Sequence, residues 1–273
     1  MNAVGGTPMA RSRWRPNAAG IATGAFTNFF DTLGIGSFAV TTAISRAWRL
    51  TDDALLPGTL NVGHALPILT QALIFIRLVR VERSLLVGML LAACAGAWRG
   101  AAVVARLPRR RIQQVMGGAL LVAAGLLLAT LLHWVPGGGE ALGLHGVKFG
   151  IALAGNFALG ALMTAGIGLY APCMILVYLL GMTPAAAFPI MMGSCALLMP
   201  VASVRFLRED RVDRRFAAGL TLGGIPAVLV AAFAVTSLPL DTLRWLVLAV
   251  VSYTAVGLLR SAAVPDAGVS SPA

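Results

Sequence analysis

Long apolar stretches separated by short polar loops make up most of the chain. Eight apolar segments run over residues 17–45, 54–76, 84–105, 112–132, 149–180, 185–204, 216–236 and 242–260. A helix needs about 20 mostly apolar residues to cross a bilayer, and each segment has about that length or more. A transmembrane barrel would instead show alternating segments of about ten residues. The pattern therefore predicts an all-α polytopic membrane protein.

The pattern also repeats along the chain. DTLGIGSFA (Asp31–Ala39) matches MTAGIGLYA (Met163–Ala171) at an offset of 132 residues. RLTDDALLP matches GMTPAAAFP, and RVERSLLVG matches RVDRRFAAG, in the same order. Such internal repeats are typical of secondary transporters. The predicted regions are a disordered basic tail (1–16), membrane repeat 1 (17–132), a linker (133–148), membrane repeat 2 (149–260) and a second disordered tail (261–273).

The first segment of each repeat is about 30 residues long and carries Gly-x-Gly near its centre. Because glycine disfavours helix, each segment is either a re-entrant hairpin of two half-helices or one long kinked helix that crosses once. Hairpins make the two repeats inverted and place fifteen arginines on one face, against three arginines and Lys148 on the other. Single crossings split the basic residues 13 to 6. The positive-inside rule favours the inverted hairpins.

A broken helix leaves backbone N–H groups that need a polar partner at membrane depth. The N–H groups that begin the second half-helix carry the positive end of the helix dipole, which suits an anion. Paired glycine breaks therefore predict a substrate site, whereas the competing interpretation is that the glycines only allow close helix packing. The residues expected to bind substrate are Thr32, Gly34, Gly36, Ser37, Asn61, His64, Thr164, Gly166, Gly168 and Ser194.

Asp31 directly precedes the first motif, and Met163 stands at the matching position of the second. An intramembrane carboxylate is a functional candidate by default, so Asp31 is the candidate for proton coupling. A role as the cap of the second half-helix is equally compatible with the sequence. A histidine such as His64 within an apolar segment is more often a hydrogen-bonded structural residue than a substrate ligand.

Composition narrows the class of protein. The chain has 273 residues, 58% of them hydrophobic and 11% charged, whereas soluble domains have about 25% charged residues. Its net charge of +11 comes from arginines in loops, which suits anionic lipid headgroups rather than nucleic acid. The sequence has no Walker loop, no HExxH and no Gly-x-Ser-x-Gly motif, so we expect no enzyme activity, no cofactor and no metal site.

The motifs resemble those of the TauE/SafE sulfite exporter family, which consists of bacterial permeases. The resemblance extends over about residues 20–260, and it is carried by GIGSFA, GIGLYAP, the RVE and RVD junctions, and the late RLP and SLP turns. The glycine run differs from the family pattern, since it is shortened to GIGS and GIGL. The resemblance implies a multi-pass protein of the bacterial inner membrane that moves small sulfur-containing anions out of the cytoplasm.

The glycine motifs predict a secondary transporter for a small anion that works by alternating access around them, and the resemblance implies export of an anion such as sulfite or a sulfonate. Its expected partners are this anion and the lipid bilayer, and a homodimer is one option for its assembly. The alternatives are an uptake permease for a small carboxylate or other anion, and a non-transporting membrane subunit or scaffold.

Overall fold

A computed structural model describes residues 14–52, 55–104, 109–132, 134, 139–163, 169–236 and 239–263. These residues form ten α-helices and one short 3-10 helix (Pro184–Ala186). The α-helices are α1 (Ala18–Thr32), α2 (Ser37–Trp48), α3 (Leu56–Leu78), α4 (Arg83–Val104), α5 (Arg109–Leu131), α6 (Gly146–Met163), α7 (Tyr170–Leu179), α8 (Ala187–Arg208), α9 (Arg214–Thr236) and α10 (Leu240–Ala263).

Helices long and apolar enough to cross a membrane occur five times in the described chain. They are Leu56–Leu78, Gly146–Met163, Pro184–Arg208, Arg214–Ala234 and Trp245–Ala263. Large apolar side chains such as Trp98, Val201 and Phe233 are more than 70% exposed, as expected for surfaces that face lipid rather than water. The prediction of an all-helical, multi-pass membrane protein is confirmed at this level.

The boundaries of the predicted regions differ from the helices at two places. The helix α6 begins at Gly146, within the predicted linker, and α10 continues to Ala263, within the predicted second tail. Most of each predicted tail lies outside the described residues.

The first apolar segment contains two helices, because α1 ends before the glycine motif and α2 begins after it. Gly34 has a φ of 97°, and its amide donates to the Asp31 carbonyl at 2.8 Å, while the next amide donates to the Phe30 carbonyl at 3.2 Å. This is a Schellman cap, which needs a left-handed residue. Gly36 has a φ of 87° and directly precedes α2. One glycine therefore ends a helix, and the other allows the next helix to begin.

The fifth apolar segment also contains two helices, α6 and α7. The second Gly-x-Gly motif lies between them, within residues 164–168, which are outside the described part of the chain. The predictions for Thr164, Gly166 and Gly168 fall on these residues.

Two further helix caps occupy equivalent positions in the repeat alignment. The backbone is left-handed at Arg49 (φ 50°) after α2 and at Gly181 (φ 92°) after α7. In both places the next amide, that of Leu50 or Met182, donates to the carbonyl five residues before it, at 2.9 and 3.2 Å respectively. The two caps lie at the offset of 132 residues that relates the glycine motifs.

The chain divides into two compact units, each with helices from both predicted repeats. Unit 1 comprises Met1–Val79 and Met192–Leu238, and unit 2 comprises Arg80–Met191 and Pro239–Ala273. Within unit 1, α9 packs against α1 and α3. Within unit 2, α4 packs against α6, and α5 packs against α10.

A proline in α3 leaves a backbone carbonyl that accepts a hydrogen bond from α9. Pro67 has no amide hydrogen, so the carbonyl of Gly63, four residues earlier, loses its helical partner. The hydroxyl of Thr221 in α9 donates to that carbonyl at 2.8 Å. The neighbouring helix thus supplies the hydrogen bond that a carbonyl in a membrane-spanning helix requires.

Candidate functional site

Buried polar side chains meet beside the break between α1 and α2. They come from α1, α2 and α3, all in unit 1, and each is at most 1% exposed. We call this set the polar cluster, and its members are Asn28, Asp31, Thr32, Thr41, His64 and Gln71. Because a buried polar group destabilises the fold unless it is hydrogen-bonded, the partners of each side chain determine what the cluster can do.

Asp31 joins α1 to both neighbouring helices. Its Oδ1 accepts a hydrogen bond from the amide of Ser37, the first residue of α2. Its Oδ2 accepts one from Nε2 of Gln71 in α3 at 2.9 Å. The same Nε2 also donates to Oγ1 of Thr32 at 3.0 Å, so these two bonds use both of its hydrogens. The carboxylate therefore lies at the N-terminus of α2, where the helix dipole stabilises negative charge.

The sequence left two roles open for Asp31, capping and proton coupling. In the structure, the carboxylate caps α2 from across the glycine break. Capping does not exclude coupling, because a carboxylate that accepts a proton would release the same amide. The carboxylate also occupies the position where the sequence predicted a substrate anion.

His64 is held by helices on two sides. Its Nδ1 lies 3.0 Å from Oδ1 of Asn28, and its Nε2 lies 3.1 Å from Oγ1 of Thr41. Nδ2 of Asn28 donates to the Gly24 carbonyl at 2.8 Å, so its Oδ1 is the acceptor that faces the ring. The network therefore assigns a hydrogen to Nδ1 of His64, and in the neutral ring Nε2 accepts from Thr41. These bonds make His64 a connector of α1, α2 and α3.

Thr32 connects the two parts of the cluster. Its hydroxyl accepts from Gln71 and donates to the carbonyl of Asn28 at 2.8 Å. Hydrogen bonds thus link the carboxylate of Asp31 through Gln71 and Thr32 to the backbone carbonyl of Asn28, while the side chain of Asn28 bonds to the ring of His64.

Several residues of the predicted site are brought together in unit 1. These are Asp31, Thr32, Gly34, Gly36, Ser37 and His64. Asn61 lies one turn before His64 on α3, but its Nδ2 donates to the Pro57 carbonyl of its own helix at 2.9 Å. Ser194 is fully buried on α8, also in unit 1.

Three members of the cluster were not predicted from the sequence: Asn28, Thr41 and Gln71. For two of them the spacing carries a usable signal. Asn28 precedes Asp31 by three residues, and Gln71 follows His64 by seven, so each pair lies on one helix face. Polar residues that share a face of an apolar helix indicate a buried polar contact. Among the residues that the structure describes, no His, Cys, Asp and Glu side chains form a group of three or more suited to a metal ion.

No protein-family model matches this chain, and no curated protein or solved structure matches it either. The polar cluster and the helix break beside it are therefore the features that bear on function.

Proposed function

We propose that this chain is a secondary transporter that moves a small anion, such as sulfite or a sulfonate, out of the cell across the plasma membrane. The observation that supports this most is the contact of the Asp31 carboxylate with the amide of Ser37. A helix N-terminus inside an apolar unit holds a negatively charged oxygen there, and the hydrogen bond from Gln71 adds to it. The same chemistry suits the oxygens of a small oxyanion.

The packing within each unit supports a duplicated architecture. The alignment at the offset of 132 relates α1 to α6 and, at the RVE and RVD junctions, relates α4 to α9. The helix contacts are equivalent under this alignment: α1 packs against α9, and their counterparts α6 and α4 pack against each other. The matched caps at Arg49 and Gly181 agree with it. We propose that the repeats are inverted and that their broken segments are re-entrant, as in transporters whose substrates bind at helix breaks.

An ion gradient is the proposed driving force, since the sequence has no Walker loop for ATP. Flux in proteoliposomes tests the proposal, with sulfite, methanesulfonate and acetate as substrates, with and without a pH gradient. The expected result is flux of at least one of the three anions above that of empty vesicles. Flux measured under outward and inward pH gradients, in vesicles whose protein orientation is known, gives the direction. Absence of flux for all three with folded protein would refute transport of a small anion.

Two single substitutions, compared with each other, distinguish a transporter from a scaffold. Gly34 has a φ of 97°, which a leucine adopts only with strain, so Gly34→Leu should distort the break and abolish flux. The matched control is Gly150→Leu on α6, where no atom in the described part of the chain lies within 4 Å of an added Cβ. A scaffold protein would assemble equally well with either substitution and would carry no flux in the wild type.

A further inference from the structure

The carboxylate of Asp31 lies where the proposed transport would place the substrate. It accepts the hydrogen bond of the first amide of α2, and a substrate anion at that helix end needs the same amide. Two negative charges at one helix end repel each other and compete for its N–H groups. Binding of the substrate anion at this helix end therefore requires the carboxylate of Asp31 to release the Ser37 amide.

Building on the proposed function, we infer that Asp31 is a built-in competitor of the substrate anion: when its carboxylate takes up a proton, the N-terminus of α2 becomes free to bind the anion. The carboxylate gains one proton on one oxygen and becomes neutral, and one anion takes its place at the Ser37 amide. Each transported anion thereby crosses together with one proton in the same direction, so export is driven by the outward concentration gradient of the anion itself.

A hydroxyl without a partner lies at the same helix end. Oγ of Ser37 belongs to the residue whose amide holds Asp31. It is only 2% exposed, and it has no hydrogen-bond partner among the described residues. A buried hydroxyl without a partner destabilises the fold, and an anion at the start of α2 is an acceptor that would remove this cost.

Space is also present at the helix break. A Cβ built on Gly36, the residue before α2, meets no atom of the described residues within 4 Å. The start of α2 therefore combines a free hydroxyl, an amide that already binds a carboxylate, and room for additional atoms.

The other titratable groups near Asp31 are few. In the sequences of α1, α2, α3 and α9, Asp31 and His64 are the titratable side chains other than arginines. His64 bonds to Asn28 and Thr41 rather than to Asp31. The arginines stand near the ends of their helices: Arg46 in α2, Arg77 in α3, and Arg214 and Arg215 in α9.

Binding of methanesulfonate to the purified protein tests this inference. Methanesulfonate keeps its single negative charge at acidic and neutral pH, so a pH dependence of binding reports on the protein. Wild-type protein should bind it more tightly at acidic pH, with affinity falling by up to about tenfold per pH unit above the titration of Asp31. Asp31→Asn should bind tightly at both pH values, because the competing charge is gone.

Three further variants test which residues cause the pH dependence and bind the anion. Asp210→Asn makes the same chemical change at an exposed position with a φ of 53°, which asparagine tolerates, and it should keep the wild-type pH dependence. His64→Gln should also keep it. Ser37→Ala, combined with Asp31→Asn, should weaken binding several-fold. In proteoliposomes, Asp31→Asn should exchange methanesulfonate across the membrane but no longer accumulate it in response to a pH gradient.

The possible results separate this inference from the proposed function. Folded Asp31→Asn protein that keeps the pH dependence, or that binds more weakly than wild type at every pH, would overturn the competitor role. So would accumulation by wild type that follows a sodium gradient instead of a pH gradient, although transport itself would stand. If Asp31→Asn does not fold, Asp31→Glu must still show pH-dependent binding. Wild-type protein that neither binds nor moves any of the three anions refutes transport, and this inference with it.

Discussion

A glycine on α1 brings its backbone into direct contact with that of α9. A Cβ added to Gly24 would lie 2.4 Å from the carbonyl oxygen of Leu220 and 2.6 Å from its Cα. Both atoms belong to the backbone of a packed helix, so rotation of a side chain cannot relieve the clash. We predict that Gly24→Ala pushes the two helices apart and destabilises unit 1.

The size of this effect follows from two opposing contributions. Ordinary van der Waals contact to a Cβ begins at 3.4 Å, so the added methyl group is about 1 Å too close to its neighbours. Overpacking of this kind costs about 1–3 kcal/mol, and a clash with backbone belongs at the upper end. Alanine in a helix interior regains about 1 kcal/mol relative to glycine. The expected net loss is about 2 kcal/mol of unfolding free energy.

Unfolding of the detergent-solubilised protein measures this loss, and Gly150→Ala is its matched control. Gly150 lies within α6, and none of the residues that the structure describes comes within 4 Å of its added Cβ. The control should therefore be as stable as wild type or gain up to about 1 kcal/mol. If Gly24→Ala were as stable as Gly150→Ala, the close approach of α1 to α9 would be refuted.

Three other changes have expected outcomes in the same unfolding assay. Thr221→Val leaves the Gly63 carbonyl without its hydrogen bond and should destabilise the protein by about 1–3 kcal/mol, whereas Thr221→Ser should restore most of the loss. His64→Phe keeps an aromatic ring, slightly larger than imidazole, but removes the two hydrogen bonds that His64 makes to α1 and α2, so a loss of at least about 1 kcal/mol is expected; an unchanged protein would show that the ring is held by packing. Lys148→Met removes the ammonium group that donates to the Leu180 carbonyl after α7 at 3.1 Å, and it should cost about 0.3–1 kcal/mol, less at high salt.

The position of the helix break was predictable from the sequence, because it depends on local backbone preferences. Gly34 and Gly36 adopt left-handed φ values that residues with a Cβ rarely adopt. The contacts of Asp31 were not predictable in the same way. Its partner Gln71 is 40 residues away along the chain, and only the packing of α3 beside the break brings them together.

Which helices pack against each other could not be predicted from the sequence either. The sequence repeat identifies which segments correspond, but it does not specify which of them touch. Each compact unit takes helices from both halves, and α1 packs against α9 rather than only against its neighbours in sequence. Such contacts depend on complementary surfaces formed by residues about 200 positions apart, and single-chain periodicity carries no information about them.

The polar cluster has no equivalent in the second proposed repeat. At the offset of 132, its positions correspond to Gly160, Met163, Thr164, Cys173, Ala196 and Ser203. The carboxylate, the imidazole and both amides are therefore absent from the second set. Two equivalent carboxylates would couple two protons to each cycle, whereas Asp31 couples one under the inference above. One proton balances the charge of methanesulfonate, so its flux should respond to a pH gradient and stay nearly constant when a membrane potential is imposed. A flux that rises steeply with the potential would mean that the anion crosses without the proton of Asp31.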